Sequence, residues 1–328
     1  MKQKSKQTDE EFEKQFQKDD TFKITVIINV HECGERLNDC IKSVKNQTFS
    51  NIEVFLCNNG NEDVPENIAE DDRFTVIKKD GETDCRNTAI KRADGKYLSF
   101  IDGNDRLRKD FLENLYDGVN DTDSDIAVCG YCYFYPKKRR KKGKLKPTIF
   151  QPTDNKLFAR GQALYLLLPD RPIRYFLWNK LFKKELFTEN NIIIPDTYYE
   201  DVITCTRLFY YAKQVITLED GSYFYTQPDK IYNKKFVTVK HINDYIKTVA
   251  LVRMFLEEKK CYEIFKKPFL SYAKQVKRAV PFLIRRVSKK TENKSLLNIK
   301  NAKNKLKFYM SCSKEEILCE NISEDIVK

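Results

Sequence analysis

At 328 residues, 41% apolar and 12% aromatic, the chain has material for one large core or two smaller ones, which excludes an intrinsically disordered protein. Its formal charge of +12 points to an anionic partner: a nucleotide, an acidic polymer, a membrane surface or nucleic acid. Ten scattered cysteines, several inside apolar runs, suit a reducing cytosol rather than a disulfide scaffold, and the lone Cys129-Gly-Tyr-Cys132 with only His31 and His241 makes no zinc site.

Residues 1–21 are Lys-, Gln-, Glu- and Asp-rich, with Phe12 and Phe16 the only bulky apolar side chains, and read as a solvated tail or frayed helix. That charged start does not read as a signal peptide, and no apolar run approaches the ~18–20 residues needed to span a bilayer. Ile24–Ile28 is β-branched and apolar without alternation, as a buried strand of a parallel sheet is. A turn follows from Asn29 to Gly34. Leu37, Cys40, Ile41 and Val44 recur at helical spacing and predict an amphipathic helix over Glu35–Gln47. Ile52–Cys57 is a second strand, ending in Asn58-Asn59-Gly60. Phe74–Ile77 is a third, Asp84–Ala93 a helix, and Tyr97–Ile101 a fourth strand. Strands alternating with helices predict an α/β fold with a mostly parallel, doubly wound sheet. Ligands of such sheets bind beyond the carboxyl ends of the strands, where Asn29–Cys33, Asn58–Asn61 and Asp102–Asp105 all lie.

The fourth strand runs into Asp102-Gly103-Asn104-Asp105, followed by a helical segment from Lys109. Asp, Gly and Asn are turn formers. A carboxylate cluster at a strand end is also a place for a hard divalent cation, which takes oxygen ligands, often one or two carboxylates plus substrate phosphates. Asp102 and Asp105 would supply charge, and Asn104 a neutral oxygen between them. Ile126–Tyr135 is a further strand. The run Lys137–Lys142 with Lys144 and Lys146 is either a solvated hairpin tip or an anion-binding loop, worth ~1 kcal/mol per cation near an anionic membrane. Beyond Asp229 the pattern changes. Val239–Lys259, Phe265–Val287 and Ser295–Tyr309 are Lys-rich with apolar residues at helical spacing. Ala279–Ile284, followed by Arg285-Arg286, is amphipathic and suited to packing on the preceding domain or to shallow membrane contact.

Taken as an ordered set, Ile24–Asn29, Val44-Lys-Asn-Gln-Thr48, Ile52–Gly60, Cys85-Arg-Asn-Thr88, Gly95-Lys-Tyr97, Phe100–Asp105, Leu177-Trp-Asn-Lys-Leu-Phe-Lys-Lys-Glu-Leu-Phe187 and Tyr199-Glu-Asp-Val202 resemble the family-2 glycosyltransferases of bacterial capsular polysaccharide and teichoic-acid synthesis. The resemblance covers roughly residues 22–230. It implies a GT-A fold over 22–230, with a helical region over 231–328, and an inverting transfer of a sugar from a nucleotide sugar, a UDP-sugar by resemblance, to a hydroxyl of a cell-surface glycan or lipid-linked acceptor. It also implies residue roles. Asp201 is the catalytic base. Asp102 holds the ribose or metal side of the donor, and Asp102, Asn104 and Asp105 form the metal position. Asn29, His31, Asn58, Asn59 and Arg86 line the donor, with Arg86 near the uracil or diphosphate. Trp178 and Glu200 face the acceptor. Glu200-Asp201 also reads as an acidic N-terminus of the helix Val202–Ala212.

Three positions depart from the family pattern. The usual Asp-Asp-Gly after the second strand is Asn58-Asn59-Gly60, the second Asp of the D-x-D is Asn104, and the usual Pro-x-Tyr-Asn is Asn29-Val-His31-Glu32. An Asn oxygen still accepts a hydrogen bond, without the charge. The expectation is a Mg²⁺ or Mn²⁺ ion held weakly until the nucleotide supplies its phosphates. The location expected is cytoplasmic, with a peripheral position at the inner face of the plasma membrane, no nucleic-acid partner, and a homo- or hetero-oligomer open. The competing readings are a catalytically degenerate GT-A domain serving an active partner and, from charge alone, a basic nucleic-acid-binding protein.

Overall fold

The computed structural model describes residues 22–60, 62–65, 68, 70–79, 84–135, 149–150, 154–227, 237–288 and 299–319. The tail 1–21 and the basic run 137–146 lie outside them.

The first half follows the expected alternation. β1 (Ile24–Val30), α1 (Arg36–Lys45), β2 (Ile52–Asn58), β3 (Phe74–Lys78), α2 (Cys85–Arg92) and β4 (Tyr97–Asp102) come in that order. β1 pairs in parallel with both β2 and β4, and β2 with β3. Burial explains the sequence: β1 is covered on both faces, so it carries apolar residues at consecutive positions. Gly95 is dictated by contact, because a Cβ there would stand 2.5 Å from the Thr25 amide nitrogen.

The chain then passes through β5 (Arg106–Leu107), α3 (Phe111–Thr122), β6 (Ile126–Phe134), β7 (Ile149–Phe150), β8 (Lys156–Ala159) and α4 (Gln162–Leu167). β9 (Lys180–Lys183), α5 (Glu185–Thr188), α6 (Glu200–Tyr211) and β10 (Gln214–Thr226) complete the sheet half. The ten strands form one sheet in the order β3-β2-β1-β4-β9-β6-β10-β5, with β7 on β6 and β8 on β10. β9 is antiparallel to both neighbours, β4 and β6, while β6 and β10 are parallel. A reversed strand thus joins the parallel β3-β2-β1-β4 block to the parallel β6-β10 pair.

Among the described residues four helices follow: α7 (Val239–Glu258), α8 (Tyr262–Ser288), α9 (Ile299–Ser311) and α10 (Lys314–Cys319). Thr238 caps α7, accepting from the His241 amide while its own amide donates to His241 Nδ1. The apolar faces of α7 to α10 belong to the same core as one face of the sheet. Ile27, Phe100 and Phe182 share it with Ile246, Phe269, Leu306 and Ile317. Among the described residues no helix is long and apolar enough to cross a membrane.

Candidate functional site

Three loops meet where β1, β2 and β4 end, as the parallel topology requires. The Gly103 amide donates to the Asn29 carbonyl (2.9 Å), pressing the β4 loop onto the β1 loop. A Cβ at Gly103 would lie 2.7 Å from Cys33 Sγ, so only glycine allows this approach. Asn58 is buried and locks its own loop: its Nδ2 donates to the Glu62 carbonyl (2.8 Å) and its Oδ1 accepts from the Glu62 amide. The Glu62 carboxylate in turn accepts from the amides of Cys33 (2.8 Å) and Gly34 (3.2 Å) in the β1 loop.

Asn59 extends the network. Its Nδ2 donates to Asn29 Oδ1 (2.9 Å) and Asp84 Oδ1 (3.3 Å), and its Oδ1 accepts from the Cys85 amide (3.1 Å). Asp84 caps α2 by accepting from the Arg86 amide (2.8 Å). The Arg86 guanidinium grips both Asp84 oxygens through Nε and donates through Nη2 to Asp84 Oδ2 (2.6 Å) and Glu200 Oε1 (2.7 Å). A continuous chain of contacts therefore runs Asn29–Asn59–Asp84–Arg86–Glu200, from the first strand to the start of α6. Burial opposes ionisation of Asp84, but the Arg86 hydrogen bonds and charge hold its carboxyl below the usual range. Arg86 is itself buried and committed to two carboxylates. It stands as a strut between the strand-end loops and α6 rather than as a free cation.

Asp201 follows Glu200 in the first turn of α6. Burial, reinforced by the Glu200 charge, pushes its carboxyl up to about 7, while Arg86, Lys180 and a hydrogen bond from the Leu177 backbone pull it down. Lys180 is fully buried, donates from Nζ to Asn179 Oδ1 (3.0 Å) and to the Phe176 carbonyl, and has its own pKa lowered by burial. The segment leading to Glu200 is held from two sides. Asn87 exchanges two hydrogen bonds with the Ile194 backbone (2.8 and 2.9 Å). Asp244 on α7 accepts from the Tyr198 amide (3.1 Å), Tyr198 stacks on His241, and Tyr199 stacks on Tyr245. The C-terminal helices thus help to place the acidic turn. Sequence reasoning named none of Asp84, Asn87, Lys180, Glu62 or Asp244 as part of the site.

Two expectations are corrected by geometry. Asp105 is turned inward and buried: Oδ2 accepts from the Tyr223 hydroxyl (2.7 Å) and Oδ1 from the Thr226 amide (2.7 Å). Burial, then the nearby Asp102, drives its carboxyl well above the usual range, so it anchors β10 to the β4 loop and presents no oxygen to a cation. Trp178 is only 9% exposed, stacked with Phe176, Tyr223 and Tyr225 at 4.2, 4.6 and 5.1 Å, and so is a core aromatic rather than a platform for an acceptor sugar.

At the position expected to hold a metal, Asp102 Oδ1 accepts from the amide (2.9 Å) and Nδ2 (3.0 Å) of Asn104. Asn104 Oδ1 is buried without a hydrogen-bond partner among the described residues. Among those residues, no three His, Cys, Asp or Glu side chains gather as a metal cluster. One carboxylate and one orphaned amide oxygen suit a hard cation only as part of a shell that other oxygens complete.

A family model described as "Glycosyl transferase family 2" matches residues 25–189, half of the chain. The chain belongs to glycosyl transferase family 2. An uncharacterized glycosyltransferase, EpsJ of Bacillus subtilis strain 168, is 28% identical over 215 residues, 62% of this chain and 61% of that protein. The chain thus spans about three fifths of the length of this curated relative. Among solved structures, TarS residues 1–349 of S. aureus in complex with UDP superposes with a TM-score of 0.56 at 18% identity, over 91% of this chain and 92% of that one. A mannosyltransferase of Pyrobaculum calidifontis in complex with GDP-Man and Mn²⁺ gives 0.51 at 14% identity, over 82% and 75%. At such identities the likeness shows a shared fold, and the expectation of a GT-A architecture holds.

Proposed function

We propose that this chain is an inverting glycosyltransferase that moves a sugar from a nucleotide-sugar donor, a UDP-sugar in the first instance, to a hydroxyl of a cell-surface glycan or lipid-linked acceptor. The observation that carries this is the contact chain Asn29–Asn59–Asp84–Arg86–Glu200, which brings the strand-end loops that suit a nucleotide against the acidic turn that suits an acceptor. Family membership and the UDP complex of TarS support the donor class.

In this reading Asp201 takes the proton from the acceptor hydroxyl. The freed oxygen lone pair forms the new bond at the anomeric carbon, and the bond to the donor phosphate breaks, its electrons leaving with the nucleoside diphosphate. Attack opposite the leaving group inverts the centre. A base with proton affinity near the working pH is well matched to this task. Glu200 stays paired with Arg86 and raises the proton affinity of Asp201. Asn29, His31, Asn58, Asn59, Arg86 and Asp102 form the donor side. Asn58 and Asn59 act there by shaping the loops, since both ends of each amide are already engaged, and Arg86 is held through Nε and Nη2 by Asp84 and Glu200. A divalent cation held by Asp102 and Asn104 would neutralise charge on the leaving diphosphate. With one protein carboxylate instead of two, its affinity should depend on the nucleotide. A peripheral position at the inner face of the plasma membrane is proposed with this acceptor class. The domain division proposed is a GT-A unit to about residue 230 with the later helices packed on its core.

Asn58, Asn59 and Asn104 favour the second reading, a degenerate GT-A domain that binds but does not transfer. Purified protein incubated with UDP-sugars, with and without Mn²⁺, separates the two. Release of UDP that depends on Asp201 supports catalysis, whereas nucleotide binding without release under any condition supports the binding subunit.

A further inference from the structure

We propose that the outer face of α8 is a docking surface for an anionic lipid bilayer. The helix runs 27 residues, Tyr262–Ser288. Its inner face is buried in the core through Phe265, Phe269, Ala273, Val280, Ile284 and Val287. Its outer face is not simply polar. Ile264 and Phe282 are 69% and 65% exposed, the two most exposed large apolar side chains among the described residues. They are eighteen residues apart, five turns of a regular helix at 3.6 residues per turn, and so share the outer side of α8, whose course between them includes Pro268 and Pro281. Between and beside them on that face lie the exposed Lys267, Ser271, Lys274, Arg278 and Arg285.

The charge on this face is of one sign. After Glu263, which pairs with Lys266 (3.0 Å), α8 contains no acidic residue. Its neighbour α9 adds Lys303 beside this face, and its sequence Ile299–Ser311 holds no acidic residue. Two hollows open beside the stripe. One, of about 430 Å³, is walled by Lys274, Lys277, Arg278, Pro281 and Lys303. The other, of about 360 Å³, adds Arg171 to Lys274 and Arg278. Such cation-walled hollows suit phosphate head groups. The exposed phenylalanine and isoleucine decide between a bilayer and a soluble polyanion. An interfacial helix places aromatic and aliphatic side chains at the acyl boundary with basic residues at head-group level. A soluble polyanion gains nothing from Phe282.

This deepens the peripheral location proposed above, and its test does not depend on glycosyl transfer. The full chain is mixed with vesicles of phosphatidylcholine alone or with phosphatidylglycerol, and bound protein is recovered by flotation. Binding to the anionic vesicles only, weakening as salt rises, is expected. Phe282→Ser should weaken it roughly tenfold, the loss expected for one large apolar side chain. Lys274→Glu with Arg278→Glu should abolish it. These side chains are exposed, so unchanged circular dichroism and melting confirm an intact fold. Binding that survives both variants places the contact elsewhere, for instance at Lys137–Lys142, and overturns the proposal. So does equal binding to neutral vesicles, or binding to soluble polyphosphate that needs Arg278 but ignores Phe282. If vesicle binding behaves as expected while UDP release is absent, the docking face stands and the catalytic reading falls; the converse result does the opposite.

Discussion

The two sides of the site are built from different chemistry. The strand-end loops are held by amides: Asn58 and Asn59 staple the β2 loop to Glu62, Asn29 and the start of α2, and Asn104 folds onto Asp102. The acidic turn at the start of α6 is held by charge, with Glu200, Asp201 and Lys180 close to one another and tied through Glu200 to the buried Arg86–Asp84 pair. An amide both donates and accepts and does not titrate, so the first set should keep its shape across pH and salt. The second set is mutually dependent, and removing one charge strands another. Asparagine at 59 has a structural reason of its own in this contrast. An aspartate there would set two carboxylates about 3.3 Å apart, against Asp84.

The largest effect expected lies on the charged side. Asp201→Asn should lower transfer by ~10²–10⁴-fold, the span of a positioned general base, with nucleotide affinity within about twofold of the parent. Parent activity should rise with pH through about 7 as Asp201 loses its proton, and the variant should lose that limb. Its stability should move the other way. A carboxyl whose proton affinity is raised on folding contributes most below its unfolded value near 4 and loses that contribution as pH rises through about 7. Asp201→Asn should therefore melt higher than the parent at pH 8 and close to it at pH 4. Turnover equal to the parent at every pH would remove Asp201 from the mechanism.

Next comes the strut that joins the two sides. Arg86→Met leaves Asp84 buried without its partner and frees Glu200. Breaking a buried pair from one end typically costs ~3–5 kcal/mol. Denaturant unfolding measures this, and the loss should shrink in acid as Asp84 takes up a proton. A loss below about 1 kcal/mol would mean that the guanidinium is dispensable and the two sides are not coupled through it.

The fold and the donor-side loops could be read in the sequence because they depend on local pattern. Consecutive β-branched residues mark parallel strands, and strand ends mark the loops. The contacts around the acidic turn could not, because they join distant residues. Arg86 and Glu200 are 114 residues apart, and nothing local signals their pairing. Asp102 and Asp105 look alike in sequence, and only the turn after β4, with the Asp105 amide on the Asp102 carbonyl, sends one outward and the other to Tyr223. β9 and β10 escaped notice for opposite reasons. β9 has four residues inside a segment whose interest was its Trp-Asn-Lys motif, and β10 is interrupted by Glu219-Asp220-Gly221 with a register shift between Leu218 and Tyr223. Lys180 lies in the Trp-Asn-Lys motif, but nothing local signals that the fold encloses its ammonium.

On the amide side, Asn104→Asp brings a second carboxylate to within about 3 Å of Asp102. Without metal the like charges should lower stability by about 1 kcal/mol, the usual scale for a partly exposed pair. Saturating Mn²⁺ should reverse this, since a ligand at one hundred times its dissociation constant adds ~2.7 kcal/mol. Parent protein should respond to Mn²⁺ only when UDP is present, and each should tighten the other by the same factor. A parent that binds UDP equally well in EDTA would show that no cation works at this position.

The smallest effect expected concerns Lys180, and it separates a packing role from an electrostatic one. The side chain is buried with its ammonium on the Phe176 carbonyl and Asn179, on the strand beside the turn that carries Asp201. Methionine has nearly the same length and volume, so Lys180→Met keeps most of the packing while removing the charge. That charge favours the ionised form of Asp201. Without it the carboxyl should hold its proton more tightly, moving the acidic limb of the rate profile above 7 by roughly half to one pH unit, on the order of 1 kcal/mol of interaction. The plateau rate at high pH, where Asp201 is ionised in both proteins, should change by less than about threefold. A purely structural lysine would give another pattern: a lower melting temperature and a lower plateau, with the midpoint of the limb where it was. Lys180→Arg, which restores charge but not shape, completes the test, because an electrostatic role predicts that it returns the midpoint toward 7 even where it fails to restore the melting temperature.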